Sequence, residues 1–146
     1  MAERTVFQSM SQKHVVSLGP RATVYEAACT MTGANSSSVL VMEPPDKLLG
    51  IVTERDLMTR VLARAQDPAK TLVSDVMTRN PHCVLPDTKV ADAVLIMIQR
   101  GFRHLPIEMP GGKIVGVFSV RDALPREVGT AVSLAEFLDQ ANDALG

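Results

Sequence analysis

The chain has 146 residues, 46% hydrophobic and 21% charged, so it forms one domain or two very small ones, buries a core and is not compositionally disordered. Fifteen Lys and Arg against sixteen Asp and Glu leave a formal charge of −1, which argues against broad electrostatic capture of nucleic acid or an anionic membrane. Four Phe, one Tyr and no Trp leave no stacking platform for single strands, and no apolar run approaches the roughly 18 residues of a membrane helix, so a cytoplasmic globular protein with an aliphatic, Met-filled core is expected.

Residues 1–11 read as a leader. After Pro20, Thr23-Val-Tyr-Glu26 is a capping-box signature, and Val24, Ala27, Ala28 and Met31 follow at helical spacing, predicting a helix over 24–33. Val39–Met42 is a short strand, Pro44–Lys47 a turn and Leu48–Val52 the second strand of a hairpin, after which Thr53 opens a helix to about Ala65. A linker covers 67–72, and Val73–Met77 leads into a short strand that begins a second unit. That unit holds a helix over Val90–Arg100, a strand at Leu105–Glu108, a Gly111-Gly112 turn suited to positive φ and a strand at Ile114–Phe118. The helix opened by Ser119 is expected to end early, because Pro125 would remove one of its hydrogen bonds. Ser133-Leu-Ala-Glu136 reads as another capping box, starting a tail helix whose stripe of Leu134, Phe137, Leu138, Ala141 and Leu145 packs on its own core or across a dimer.

An offset of 66 residues organises most of this plan. It carries Pro20 onto Pro86, Val24 onto Val90, Ala27 onto Ala93, Met31 onto Met97, Gly50 onto Gly116, Arg55 onto Arg121 and Asp56 onto Asp122, without a gap. The expected organisation is therefore a leader 1–11, a unit 12–66, a unit 67–125 including its linker, and a helix 126–146. A unit of about 60 residues is marginal alone, so the two are expected to share an interface.

In each unit a glycine and an apolar strand run into a hydroxyl residue with an aspartate three positions later: Gly50-Ile-Val-Thr53-Glu-Arg-Asp56 and Gly116-Val-Phe-Ser119-Val-Arg-Asp122. One reading is a capping box that satisfies orphan amides at a helix start. The other is a ribose-phosphate site, because a helix N-terminus attracts anions, a carboxylate accepts from vicinal hydroxyls, and Arg55 and Arg121 offer phosphate-pairing guanidinium groups. No activated Ser or Cys nucleophile with its base and no acid–base carboxylate pair can be assembled, so no catalysis and no catalytic cofactor are expected. His14, His82 and His104 lack metal-ligand spacing, Pro110–Lys113 is a hairpin turn rather than a phosphate loop, and Cys29 and Cys83 are expected to be buried thiols.

Together with Asp75-Val-Met-Thr-Arg-Asn-Pro81 and Phe102-Arg-His-Leu-Pro-Ile107, these motifs make residues 12–125 resemble the tandem cystathionine-β-synthase (CBS) domain pair, or Bateman module. The resemblance implies an α/β fold, an α+β sandwich of two pseudo-symmetric βαββα units packed through their sheets, with two clefts for adenosine-containing ligands of the AMP, ADP, ATP, NAD or S-adenosylmethionine class. By resemblance, one cleft takes His14, Val15, Ser37, Ser38, Val39, Leu40, Thr53, Arg55 and Asp56. The other takes Thr78, Asn80, Pro81, Phe102, Arg103, His104, Leu105, Pro106, Ser119, Arg121 and Asp122. The first strand reads Val39-Leu-Val41 where the family commonly has Pro. Arg103 and His104 can meet phosphate oxygens where the first unit offers only Ser36, Ser37 and Ser38, so the cleft at Asp122 should favour the more phosphorylated ligand. The implied function is a regulatory nucleotide sensor, a homodimer that signals to an effector protein, with a dimerisation scaffold of vestigial clefts as the alternative.

Overall fold

The computed structural model describes residues 3–10 and 14–145. Met1, Ala2 and Ser11 of the expected leader, Gln12 and Lys13 of the expected first unit, Gly146 and the side chain of Leu145 lie outside the described residues. The chain divides into two compact units, His14–Pro81 and a second one assembled from 1–13 and 82–146.

In the first unit, β1 (Ser17–Leu18) pairs parallel with β2 (Ser38–Glu43), which pairs antiparallel with β3 (Lys47–Thr53), which pairs antiparallel with β4 (Thr78–Arg79). The Thr23 hydroxyl accepts from the Glu26 N–H and starts α2 (Val24–Ala34), which ends on Asn35 in the left-handed region at φ 50°. Val24, Ala27 and Met31 from α2 pack with Val39, Val41 and Val52 from the sheet and with Val61 and Val73. Residues 38–41 are all buried, which is why this strand reads as a continuous apolar run rather than an alternation. Gly50 is required by close approach: a Cβ there would stand 2.6 Å from Met77 Sδ and 2.7 Å from the Thr78 carbonyl oxygen.

The second unit repeats this pairing at the same offset. Ser38 opposite Thr53 becomes His104 opposite Ser119 in β5 (His104–Glu108) and β6 (Ile114–Ser119), and the β-bulge after Val41 recurs after Ile107. The parallel partner Leu18 of Val41 becomes the single bridge Val84–Ile107. The helix α5 (Val90–Arg100) ends on Gly101 at φ +78°, and the Gly111-Gly112 turn has Gly112 at φ +95°. Val90, Ala93, Val94 and Met97 close the core with Leu105, Ile107 and Phe118.

The leader and the linker have equivalent roles. In the first unit, Val24 N–H donates to Thr71 and Val73 N–H to Ala22, with α4 (Val73–Val76) following; in the second, Val90 N–H donates to Arg4 and Val6 N–H to Thr88, with α1 (Val6–Ser9) following. The sequence carries this as Val6 and Met10 standing 67 residues before Val73 and Met77, all four buried. Residues 67–81 therefore close the first unit, and β4 extends its sheet rather than beginning the second unit.

Three further expectations are corrected. The helix after Thr53 is α-helical only over α3 (Glu54–Asp56), continues as π-helical turns over Leu57–Leu62 and stops short of Ala65, whose φ of 52° is left-handed. Pro125 does not merely end the 3₁₀ turn Val120–Asp122; it opens α6 (Pro125–Leu145), where its missing N–H costs nothing in the first turn. Ser133 is consequently inside α6 and caps nothing, and the face of α6 turned to the core carries Val128, Ala131 and Ala135, while Leu134 and Phe137 are exposed, Phe137 by 64%. The thiols also depart from expectation: Cys29 is exposed, and half-buried Cys83 is pushed up to about 11, first by burial and then by the neighbouring Glu108.

Candidate ligand site at the helix mouths

Both hydroxyl–aspartate pairs form reciprocal caps. Asp56 Oδ2 accepts from the Thr53 N–H at 2.9 Å and the Thr53 hydroxyl at 3.1 Å, and the Thr53 hydroxyl accepts from the Asp56 N–H at 3.3 Å. In the second unit Asp122 Oδ2 accepts from the Ser119 N–H at 3.1 Å, and the Ser119 hydroxyl accepts from the Arg121 N–H at 3.4 Å. The cap reading of these tetrapeptides is therefore realised in the fold.

The strand register then brings neighbours to each mouth. Glu54 N–H donates to the Ser37 carbonyl at 3.1 Å, and Val120 N–H donates to the Arg103 carbonyl at 3.2 Å, one bond repeated at the 66-residue offset. Thus Ser37 and Ser38 stand beside Thr53 and Asp56, and Arg103 and His104 beside Ser119 and Asp122. His14 and Val15 enter β1 in the same unit as the first group. Thr78, Asn80 and Pro81 belong to the first unit, with Thr78 opposite Ile51 and the Asn80 N–H on the Leu49 carbonyl at 3.2 Å. Val39, Leu40, Leu105 and Pro106 are buried, Val39 and Leu105 within the hydrophobic cores of their units.

Two differences separate the mouths. The Leu40 N–H donates to the Val16 carbonyl at 2.9 Å, a bond that Pro106 at the repeat position cannot make. The serines spend their polarity locally, with the Ser36 hydroxyl donating to the Ser38 carbonyl at 2.8 Å and Ser38 buried, whereas Arg103 is exposed and Phe102 stacks on His82 with centroids 6.4 Å apart.

Arg60 is a residue that the motifs did not single out. Its Nε stands 3.6 Å from Asp56 Oδ1, the oxygen not used by the cap, and its Nη1 donates to the Val76 carbonyl at 2.8 Å. Arg55, expected beside the carboxylate, is exposed. Arg4 is the second: Nη2 donates to the Asp122 carbonyl at 3.0 Å and to Glu127 Oε1 at 2.7 Å, while Nε donates to Glu127 Oε2 at 3.2 Å. Glu127 also accepts from the Leu124 N–H at 2.7 Å. The hydrogen bond from Arg4 is the main cause that holds the buried Glu127 carboxyl below its usual value, and the same bond raises the Arg4 guanidinium. Among the described residues no group of three or more His, Cys, Asp or Glu is placed to hold a metal, and no helix is long and apolar enough to cross a membrane.

Residues 7–63 and 73–128 each match the family model described as the CBS domain. The chain belongs to the CBS domain family. A CBS domain-containing protein of Arabidopsis thaliana is 36% identical over 132 residues, 90% of this chain and 24% of its own length. A CBS-domain protein of Burkholderia ambifaria that carries a signal-transduction designation has a solved structure with 28% identity and a TM-score of 0.73, over 80% of this chain and 86% of its own. A CBS domain protein from Pyrobaculum aerophilum, solved in complex with AMP, shares the fold at a TM-score of 0.77 and 23% identity, over 90% of this chain and all of its own. The chain spans a quarter or less of the length of its relatives from Arabidopsis thaliana and Schizosaccharomyces pombe.

Proposed function

We propose that this CBS pair is a non-catalytic regulatory sensor, which binds an adenosine-containing nucleotide at one or both helix mouths and passes ligand state to an effector protein by a population shift. The observation that carries this is the double occurrence, at one offset and one strand register, of a half-buried aspartate that accepts the N–H of its own cap residue. Among the described residues the other oxygen of Asp56 meets only the loose Arg60 ion pair, so an acceptor remains for a ribose hydroxyl without dismantling the cap. The AMP complex of the Pyrobaculum aerophilum protein supports the ligand class. The reading makes the chain a cytoplasmic protein and a homodimer, the self-association supported by exposed Tyr25, Met58 and Leu62.

The mouths are unequal in this reading. Arg103, His104 and the His82–Phe102 stack suit a base and several phosphates, while in the first unit the Ser36 hydroxyl is spent on the Ser38 carbonyl and the Val16 carbonyl on the Leu40 N–H. Calorimetric titration of AMP into the full chain and into Asp56→Asn and Asp122→Asn tests the ribose assignment, because Asn keeps an oxygen for the cap. Each substitution should remove or weaken one site about tenfold, the loss expected from one charge-assisted hydrogen bond. AMP affinity unchanged in both variants would overturn it.

A further inference from the structure

The first unit carries a groove of about 440 Å³ between the π-helical turns and the segment that follows them, lined by Arg60, Arg64, Gln66, Lys70, Thr71 and Asp75. Its volume falls within the range of small-molecule sites. Three cations against one carboxylate give the lining a positive balance in a chain whose net charge is −1. Among the described residues the Arg64 and Lys70 side chains have no hydrogen-bond or ion-pair partner, and both are exposed. Water solvates exposed cations, but three of them lining one groove raise its local potential and favour an anion there.

We propose that this groove is a second anion site, distinct from the helix mouths, for the oligophosphate part of a small phosphorylated ligand. The Arg60 guanidinium is already shared between Asp56 and the Val76 carbonyl, so Arg64 and Lys70 are the cations the groove offers without giving up a contact. A chain of two or three phosphates spreads its charge along the groove, with Arg64 donating to it through its planar fork, Lys70 as a point charge, and Gln66 as a neutral donor, while the Thr71 hydroxyl is already given to the Asp67 carbonyl at 2.8 Å. Because Arg60 bridges the groove and Asp56, anion binding here also competes for the guanidinium that faces the first mouth.

Inorganic tripolyphosphate is the probe, since it has neither ribose nor base, and its binding stands or falls apart from the nucleotide reading. Isothermal titration into the full chain at low ionic strength should give a salt-sensitive affinity that Arg64→Ala with Lys70→Ala weakens at least about tenfold and Arg64→Glu with Lys70→Glu abolishes. Both positions are exposed, and unchanged circular dichroism will show that the variants remain folded. The proposal is overturned if the wild-type chain does not bind tripolyphosphate, if the double alanine variant binds as tightly as the wild type, or if Arg103→Ala removes the binding instead.

Discussion

Arg4 ties two segments of the second unit together, holding the Asp122 turn by its carbonyl and the first turn of α6 by Glu127. A carboxylate whose folded value is depressed adds stability that is present above its ordinary value, near 4.5 here, and is lost as pH falls through the depressed value. Arg4→Ala should therefore lower stability by about 2 kcal/mol near neutral pH, because it leaves a buried carboxylate without its charged partner. That deficit should shrink as pH falls through the depressed value and Glu127 becomes protonated in the wild type as well. Urea unfolding followed from pH 7 down through the acid range measures it, and a deficit independent of pH would show that the guanidinium acts by packing alone. Nothing local announces this pair, since its members are 123 residues apart. Asp56 and Asp122, by contrast, were legible because each sits three residues from its own cap hydroxyl.

At the scale of elements, the two four-residue helices α1 and α4 are equivalent plugs, one supplied by the leader to the second unit and one by the linker to the first. Val6 and Val73 are both fully buried, so Val6→Ala and Val73→Ala should each cost about 2 kcal/mol through lost burial and the cavity left behind. Amide exchange resolves the sites of damage: Val6→Ala should raise exchange in α5 and β5–β6, and Val73→Ala in α2 and β2–β3. Equal loss of protection across both units from either change would contradict the equivalence. The helices α2 and α5 and both hairpins could be read from periodicity, because each buries one stripe or one run whose pattern is local. The helix after Thr53 and the start of α6 could not. Short stretches there carry exposed Met58 and Leu62 beside buried Val61, and Ser133 beside buried Ala135, so apolar spacing alone misplaces the buried face.

For the whole molecule, two cores and two helix mouths mean that ligand binding should register as stabilisation. A nucleotide at a hundred times its Kd adds about 2.7 kcal/mol per site by mass action, and so raises the melting temperature. In a panel of AMP, ADP, ATP, NAD and S-adenosylmethionine, the proposed inequality of the mouths predicts that the ATP response lies at Asp122. It should fall in Arg103→Ala and survive in Asp56→Ala, and the opposite pattern would reverse the ranking.

The sequence alone determined the internal duplication, the order of elements within each half and the two hydroxyl–aspartate caps, because all of these rest on contacts or periodicities a few residues long or on one constant offset. Only the tertiary structure decided that the leader completes the second unit and the linker the first, that Arg60 rather than Arg55 faces Asp56, that Arg4 locks Glu127, and which face of α6 is covered. Those outcomes depend on which distant backbone groups and charges meet once the strands have paired, and spacing along the chain carries no record of that.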